Sequence, residues 1–209
     1  MDRANHKNIL NQRINNKKGI ILMNGTDWIM TYTGRHFTPF DPKIQDIDIR
    51  DIAHALSNIC RFGGHCSEFY SVAEHSILVS ILCPPELKLA GLLHDAAEAY
   101  LGDVPTPLKQ NGFRDAEARL MDMIYRKYGC VKDMTLPYPW TDQIKTIDHY
   151  ALLIEAESLG MKPWEWSGEE IDSWNKMEDP PFFLIQKLIP KQAERLFLTN
   201  YRILTNPQP

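Results

Sequence analysis

Four residues whose side chains bind divalent metals stand on apolar stretches that the sequence predicts to be helical. His94 and Asp95 are adjacent in the string LLHDAAEAYLGDVPTP, and burying two such polar groups is costly unless they share a partner. A divalent cation is such a partner, and this mix of nitrogen and oxygen ligands suits Zn, Mn, Co or Fe better than Ca. His75 and Asp148 lie on the apolar stripes of two further predicted helices. Either alone is more often a structural residue, but four such side chains on facing helices predict a metal site.

A glutamate follows the histidine-aspartate pair at the spacing of one helical turn. In a continuous helix Glu98 lies about 5.4 Å along the axis from His94, on the same face. A carboxylate there reaches water held by the metal without binding the metal itself, so it can act as a general base or as an acid for the leaving group. The alternative is a surface glutamate that pairs with a lysine. Glu155 lies seven residues after Asp148 on the same predicted face, and we assign it at most to a layer behind the ligands.

Two further segments offer groups that could hold a phosphorylated substrate. The guanidinium of Arg61 suits phosphate or base recognition, and the ring of Phe62 could stack on a base. After the predicted metal helix, two prolines stiffen the turn GDVPTP. In that turn Asp103 could bond sugar hydroxyls, while Thr106 and the nearby Lys109 could meet phosphate. The alternative for the turn is a simple helix terminator.

The cysteines do not form a metal-binding pattern. Cys60, Cys66, Cys83 and Cys130 contain no CxxC pair. A zinc knuckle from Cys60, His65 and Cys66 is unattractive because a second ligand pair is missing. We therefore expect reduced thiols and a cytoplasmic protein.

Composition sets the outer limits. The chain has 209 residues with 44% hydrophobic and 24% charged residues, which is ordinary for one globular domain. Its net charge of −4 disfavours a partnership with polymeric nucleic acid. No apolar run approaches the ~20 residues of a membrane span, so we expect no membrane partner.

The elements that must position these residues are mostly helical. Residues 1–22, with five basic residues and one acidic residue, predict a loose basic leader, and residues 23–209 predict a single domain. The stretch WIMTYT predicts a short strand or hairpin that Gly34 ends. Apolar stripes with proline and glycine at their ends then predict an all-α helical bundle with a short N-terminal β segment. The expected helices include residues 52–59, 72–82, 85–100, 114–128, 141–159 and 190–204. A segment with Trp164, Trp166 and Trp174 carries no motif.

The order of the candidate ligands resembles a known family. His75 in VAEHS, His94-Asp95 in LLHDAAEAYLGDVPTP and Asp148 in IKTID resemble the H…HD…D signature of HD-domain phosphohydrolases. The resemblance covers about residues 24–160 and is longer than the bare HD pair. The most similar branch is the 5'-deoxynucleotidase-like group, together with phage enzymes that hydrolyse dATP to the nucleoside and triphosphate.

The resemblance implies roles for particular residues. It implies that the four motif residues hold one divalent metal, often Co, Mn or Zn, with Mg possible alongside substrate phosphates, and that Glu98 is the catalytic acid or base. It also implies that Arg61-Phe62 and the turn from Asp103 to Thr106 hold the nucleotide. The branch typically has an Arg-Trp pair where this chain has Arg61-Phe62. A homo-oligomer is implied by the resemblance alone.

The expected function is that of a metal-dependent phosphohydrolase acting on 2'-deoxynucleotides, either as a 5'-deoxynucleotidase or as a dNTP triphosphohydrolase. Two alternatives stay open. One is an HD phosphohydrolase for another small nucleotide, such as a cyclic dinucleotide or an alarmone. The other is a non-catalytic nucleotide-binding regulator, against which the complete ligand set and Glu98 argue. The sequence leaves the number of phosphates, the base and the native metal undecided.

Overall fold

A computed structural model describes residues 27–131, 141–162 and 185–206. The expected leader and the tryptophan-rich segment fall outside these residues. Within them the chain forms seven α-helices and one two-stranded sheet, so the predicted all-α class with a short N-terminal β segment is confirmed. In the described part of the chain, no helix combines the length and apolar character needed to cross a bilayer. The elements are β1 (Ile29–Met30), β2 (His36–Phe37), α1 (Ile49–Asn58), α2 (Val72–Leu82), α3 (Lys88–Leu92), α4 (Glu98–Leu101), α5 (Asn111–Lys127), α6 (Thr141–Ser158) and α7 (Pro190–Thr205).

The β segment is a hairpin. Strand β1 pairs with β2 in antiparallel register, with Ile29 opposite Phe37, and Gly34 in the connecting turn has a φ of 81° that favours glycine. Phe37 is fully buried and stacks on Tyr100 of α4 with ring centroids 4.0 Å apart. The hairpin is thereby anchored to the helix that follows the candidate metal ligands.

Helix α2 lies at the centre of the bundle. It packs against α1, α3, α6 and α7, and residues 72–80 are all buried. The Ser71 side chain caps its first turn by accepting a hydrogen bond from the Glu74 amide at 3.1 Å. A helix that is buried over this length is an interior helix, and this one carries His75 into the core.

The prediction of a single helix over residues 85–100 is wrong, because this segment forms three separate helical pieces. A 3-10 turn (Pro85–Leu87) leads into α3, and α4 begins only at Glu98. Between them Leu93 leaves the helical region, with φ −102° and ψ 3°, and the amide of Ala96 bonds three residues back to the Leu93 carbonyl at 3.0 Å. His94 and Asp95 therefore lie in a turn and not in the middle of a helix.

A close approach to α2 accompanies this break. A Cβ atom on Gly91 would lie 2.7 Å from the Cys83 sulfur and 3.4 Å from the Ser80 Cα atom. The first distance is shorter than non-bonded contacts allow, so glycine lets α3 lie directly on the central helix.

The remaining helices lie close to their predicted positions. Helix α5 begins three residues earlier than expected, and α7 ends one residue later. Helix α6 ends one residue before the predicted boundary, and Gly160 follows it with a φ of 78°. These ends are well predicted because glycine and proline mark them locally.

Glu74 joins the last helix to the central one. Its carboxylate accepts hydrogen bonds from the backbone amides of Gln186, Lys187 and Leu188, each at 2.8 Å. Lys187 has a φ of 55°, a conformation that is uncommon for a residue with a side chain. We call these three hydrogen bonds the Glu74 clasp. They attach the segment before α7 to α2, at the residue that precedes His75.

Candidate metal centre

The four predicted ligands meet at one point. The Nε2 atoms of His75 and His94 are 3.1 Å apart. Asp95 Oδ2 lies 3.4 Å from the first nitrogen and 3.2 Å from the second, and Asp148 Oδ1 lies 3.0 and 3.7 Å from them. Helix α2, the turn after α3 and helix α6 each contribute, so the bundle assembles the cluster from residues far apart in sequence.

The neutral form of each imidazole would present a lone pair to the centre of this cluster. His94 Nδ1 is 2.8 Å from the Gly91 carbonyl oxygen, which can only accept, so Nδ1 carries a proton and Nε2 is the nitrogen left to bind a proton or a metal ion. His75 Nδ1 lies 2.7 Å from the Glu155 carboxylate, which fixes the same tautomer.

A cation fits these spacings. Metal bonds of about 2.0–2.2 Å place neighbouring ligand atoms roughly 3.0–3.6 Å apart. Two nitrogen lone pairs and two carboxylates at such distances repel one another unless positive charge lies between them. His75, His94 and Asp95 form a group that could hold a metal ion, and Asp148 is close enough to join them.

The cluster is open on one side. The His75 side chain is fully buried and that of His94 is 7% exposed, whereas the Asp148 side chain is 40% exposed. A small molecule can therefore reach the cluster from the direction of α6.

The electrostatics of the cluster favour a bound positive charge. Burial alone lowers the pKa of His94, but the Asp95 and Asp148 carboxylates outweigh burial and raise the pKa to about 10. Burial raises the pKa of Asp95, yet the two histidines hold that pKa well below its usual value. The carboxylates therefore stay ionised, and a proton or a metal ion must balance them.

Glu155 orients the first histidine from behind. It is fully buried, and besides His75 it accepts a hydrogen bond from the Tyr70 hydroxyl at 3.0 Å and pairs with Arg61 Nη2 at 3.1 Å. Burial raises its pKa, but Arg61 and His75 lower the pKa by more, so the carboxylate is ionised. Helical spacing indicated Glu155, but no signal in the sequence indicated Tyr70.

Arg61 is part of this network and also lines a cavity beside the cluster. Its Nη1 atom is 3.8 Å from Asp95 Oδ2, and its side chain is 12% exposed. The next residue, Phe62, has a φ of 57°, and Gly63 has a φ of 58°. A left-handed phenylalanine stores backbone strain, which is often found at functional sites.

Two cavities meet at the cluster. One, of about 350 Å³, brings together most of the predicted substrate residues, and the second, of about 320 Å³, lies between α5 and α6. Lys109 lines both and pairs with Glu117 at 2.6 Å. Thr106 begins a 3-10 turn (Thr106–Leu108), but its side chain is outside what the structure describes. The first cavity is lined by Arg61, Phe62, Gly63, Asp95, Glu98, Asp103, Val104, Pro105, Lys109, Asp148 and Leu152.

Glu98 has the properties of a proton donor. It lines both cavities, is 6% exposed, and its Oε2 atom has no hydrogen-bond partner among the described residues. Burial, and then the charges of Asp95 and Asp103, raise its pKa to about 9. The side chain is therefore neutral at pH 7 and can give up a proton within the cavities.

Known proteins are similar to this chain over most of its length. No protein-family model matches the chain. It is 36% identical over 183 residues to the uncharacterized protein YfdR of Escherichia coli, which covers 85% of this chain and 96% of that protein. It is 37% identical over 144 residues to the uncharacterized protein RCAP_rcc00048 of Rhodobacter capsulatus, covering 63% of this chain and 72% of the relative.

Proposed function

This chain belongs to the family of the Escherichia coli protein YfdR, and we propose that it is a divalent-metal-dependent phosphohydrolase acting on 2'-deoxynucleotides. The observation that carries the proposal is that two histidine nitrogens and two carboxylate oxygens lie together beside the neutral, buried Glu98. The carboxylate oxygens are 3.0–3.7 Å from the histidine nitrogens. The substrate class comes from the resemblance to HD-domain enzymes of the 5'-deoxynucleotidase-like branch. Both 5'-deoxynucleotidase and dNTP triphosphohydrolase activity agree with it.

His75, His94, Asp95 and Asp148 would hold one cation. Imidazole and carboxylate ligands together suit Co, Mn or Zn, and Mg could bind with the help of substrate phosphates. Such a cation, when bound, lowers the pKa of water toward neutrality and polarises a phosphoryl oxygen.

The other residues of the cavity act on the substrate. Glu98 gives its proton to the departing oxygen, a contribution of typically ~10²–10⁴-fold. Lys109 and the exposed edge of Arg61 neutralise phosphate charge. Asp103 accepts hydrogen bonds from sugar hydroxyls, and Phe62 stacks on the base.

The small size of the cavities and the net charge of the chain favour a monomeric nucleotide over a polymer as the substrate. Two cavities of about 320 and 350 Å³ suit a small molecule, and the net charge of −4 offers no extended basic surface. The proposal includes a homo-oligomer, from the resemblance, and a cytoplasmic location, from the free thiols.

The test uses purified protein stripped with a chelator and reloaded separately with Co, Mn, Zn or Mg. Each form is incubated with every dNMP, dNTP and matching ribonucleotide, and phosphate and triphosphate are measured separately. We expect metal-dependent hydrolysis of deoxynucleotides and much slower turnover of AMP or ATP. Absence of hydrolysis with every metal and nucleotide would contradict the proposal.

Substitution of a ligand gives the matched control. His94→Ala should lose both activity and bound metal by elemental analysis, whereas His36→Ala, in the exposed hairpin, should keep both. A fully metallated and active His94→Ala protein would overturn the ligand assignment.

A further inference from the structure

Two thiols lie on either side of the loop that carries Arg61 and Phe62. The Sγ atoms of Cys60 and Cys66 are 3.7 Å apart, which is van der Waals contact between sulfurs. The Cys66 sulfur is also 3.9 Å from the Arg61 carbonyl oxygen, to which its S–H donates weakly. Both cysteines are half-buried, and residues 63–65 between them are exposed. A small oxidant can therefore reach the pair.

The backbone on both sides of the pair is fixed. The Arg61 amide bonds to the Tyr70 carbonyl at 2.9 Å, and the Ser67 amide bonds to the Leu159 carbonyl at 3.1 Å. Between the two sulfurs, residues 62–64 all have positive φ angles. The flanking hydrogen bonds thus hold the two ends of the loop, and with them the two sulfurs, close together.

We propose that Cys60 and Cys66 are a reversible oxidation site, at which a hydroperoxide converts the two thiols into a disulfide that disturbs the Arg61 contacts. The Cys60 thiol gives up its proton, and the thiolate attacks one peroxide oxygen and breaks the O–O bond. This gives a Cys60 sulfenic acid and hydroxide, which takes up that proton to become one water. The Cys66 sulfur then attacks the sulfenic sulfur, forms the S–S bond and releases a second water. Two thiols are oxidised by two electrons and one peroxide is reduced.

The order of attack follows from the surroundings of the two sulfurs. The Cys66 S–H donates to the Arg61 carbonyl oxygen, which keeps that sulfur protonated, and burial raises the pKa of the same thiol, so the first attack is assigned to Cys60. The other two cysteines differ. Burial raises the pKa of Cys83 to about 11 and that of Cys130 to about 12, and neither has a second sulfur as a hydrogen-bond partner among the described residues.

The consequence reaches the metal centre through Arg61. Closing the gap from 3.7 Å to the ~2.05 Å of a disulfide pulls the two ends of the loop together and removes the S–H that Cys66 donates to the Arg61 carbonyl. Arg61 contacts Glu155 at 3.1 Å and Asp95 at 3.8 Å, so its displacement loosens both an orienting carboxylate and a ligand. Oxidation should therefore weaken the metal site.

The experiment treats the full chain with hydrogen peroxide and then with dithiothreitol. We expect the thiol count under denaturing conditions to fall by two, a Cys60–Cys66 cross-linked peptide by mass spectrometry, and at least about a tenfold loss of affinity for Mn or Co. Dithiothreitol should reverse all three. The Cys60→Ser and Cys66→Ser variants should not respond in this way, while Cys130→Ser should behave as the unaltered chain.

Each arm can overturn the proposal. A thiol count that stays at four, a cross-link through another cysteine, or oxidation that leaves metal affinity unchanged would each contradict it. Loss of metal affinity and loss of nucleotide hydrolysis on oxidation both rest on the proposed function, the first on its metal site and the second on its reaction. Failure of that function leaves the thiol count and the cross-link map as independent measurements.

Discussion

The His75 ring is oriented by a carboxylate, Glu155, that lies behind the candidate ligand cluster. Glu155→Gln keeps the size of the side chain but removes the charge that lies 2.7 Å from His75 Nδ1 and neutralises Arg61. We expect metal affinity to fall by about 10–100-fold, because carboxylates behind histidine ligands have effects of this size. Competition binding with Co or Mn measures it. Glu157→Gln on the same helix is the control. Equal metal affinity in the two variants would contradict the role of Glu155 in orienting His75.

Glu98 makes stability depend on pH in the metal-free protein. Burial raises its pKa from 4.5 to about 9, so its favourable contribution is complete below pH 4.5 and is lost as the pH rises toward 9. Glu98→Gln cannot ionise. We therefore expect the variant to match the unaltered chain in thermal unfolding near pH 4 and to exceed it increasingly up to pH 9.

The same substitution separates catalysis from folding. With metal bound, Glu98→Gln should retain the metal while kcat falls by about two orders of magnitude. A stability difference that does not vary with pH would contradict the raised pKa, and loss of metal would make Glu98 a ligand.

At the scale of elements, the approach of α3 to α2 depends on a missing side chain. Gly91→Ala places a methyl group 2.7 Å from the Cys83 sulfur, so we expect a loss of about 1–3 kcal/mol in the free energy of unfolding. The loss should be smaller when Cys83→Ala is also present, because the clashing atom is gone. Gly112→Ala, with nothing within 4 Å, should be neutral or slightly stabilising. Denaturant unfolding of the four variants tests the contact, and an equal loss in both backgrounds would contradict it.

The sequence predicts the elements better than it predicts their interruptions. Most helix ends were predicted within a few residues because proline, glycine and apolar spacing are local signals. The break before His94 was missed because it arises from tight turns at Leu93 and from contact with α2, neither of which appears in periodicity.

The residue types predicted the candidate site better than the assumed helical geometry did. The four residues predicted as ligands lie close together, although the argument for His94 and Glu98 assumed a continuous helix; that they bind a metal stays a prediction. The hydrogen bond from Tyr70 to Glu155 was beyond prediction, because it joins residues 85 positions apart. Contacts of that kind depend on how the bundle packs.

At the scale of the whole molecule, the candidate centre joins three separate elements around α2. A metal that binds only the folded state stabilises it by about 2.7 kcal/mol at a hundred times Kd. For a domain of this size we therefore expect Mn or Co to raise the Tm by about 5–10 °C. Differential scanning calorimetry measures the shift, and Asp148→Asn should abolish most of it. An equal shift in that variant would place the metal elsewhere.

Because of the Glu74 clasp, hydrogen exchange just before α7 should report on local opening of α2 near His75. Glu74 holds the amides of Gln186, Lys187 and Leu188, while His75 faces the candidate ligand cluster from the same helical turn. Any local opening that frees α2 must expose both. Deuterium uptake at those three amides should therefore slow when metal is added, while uptake in the Ile29–Met30 strand should not change. Glu74→Gln should speed the exchange in both metal states, since a neutral amide oxygen holds three donors less firmly than a carboxylate.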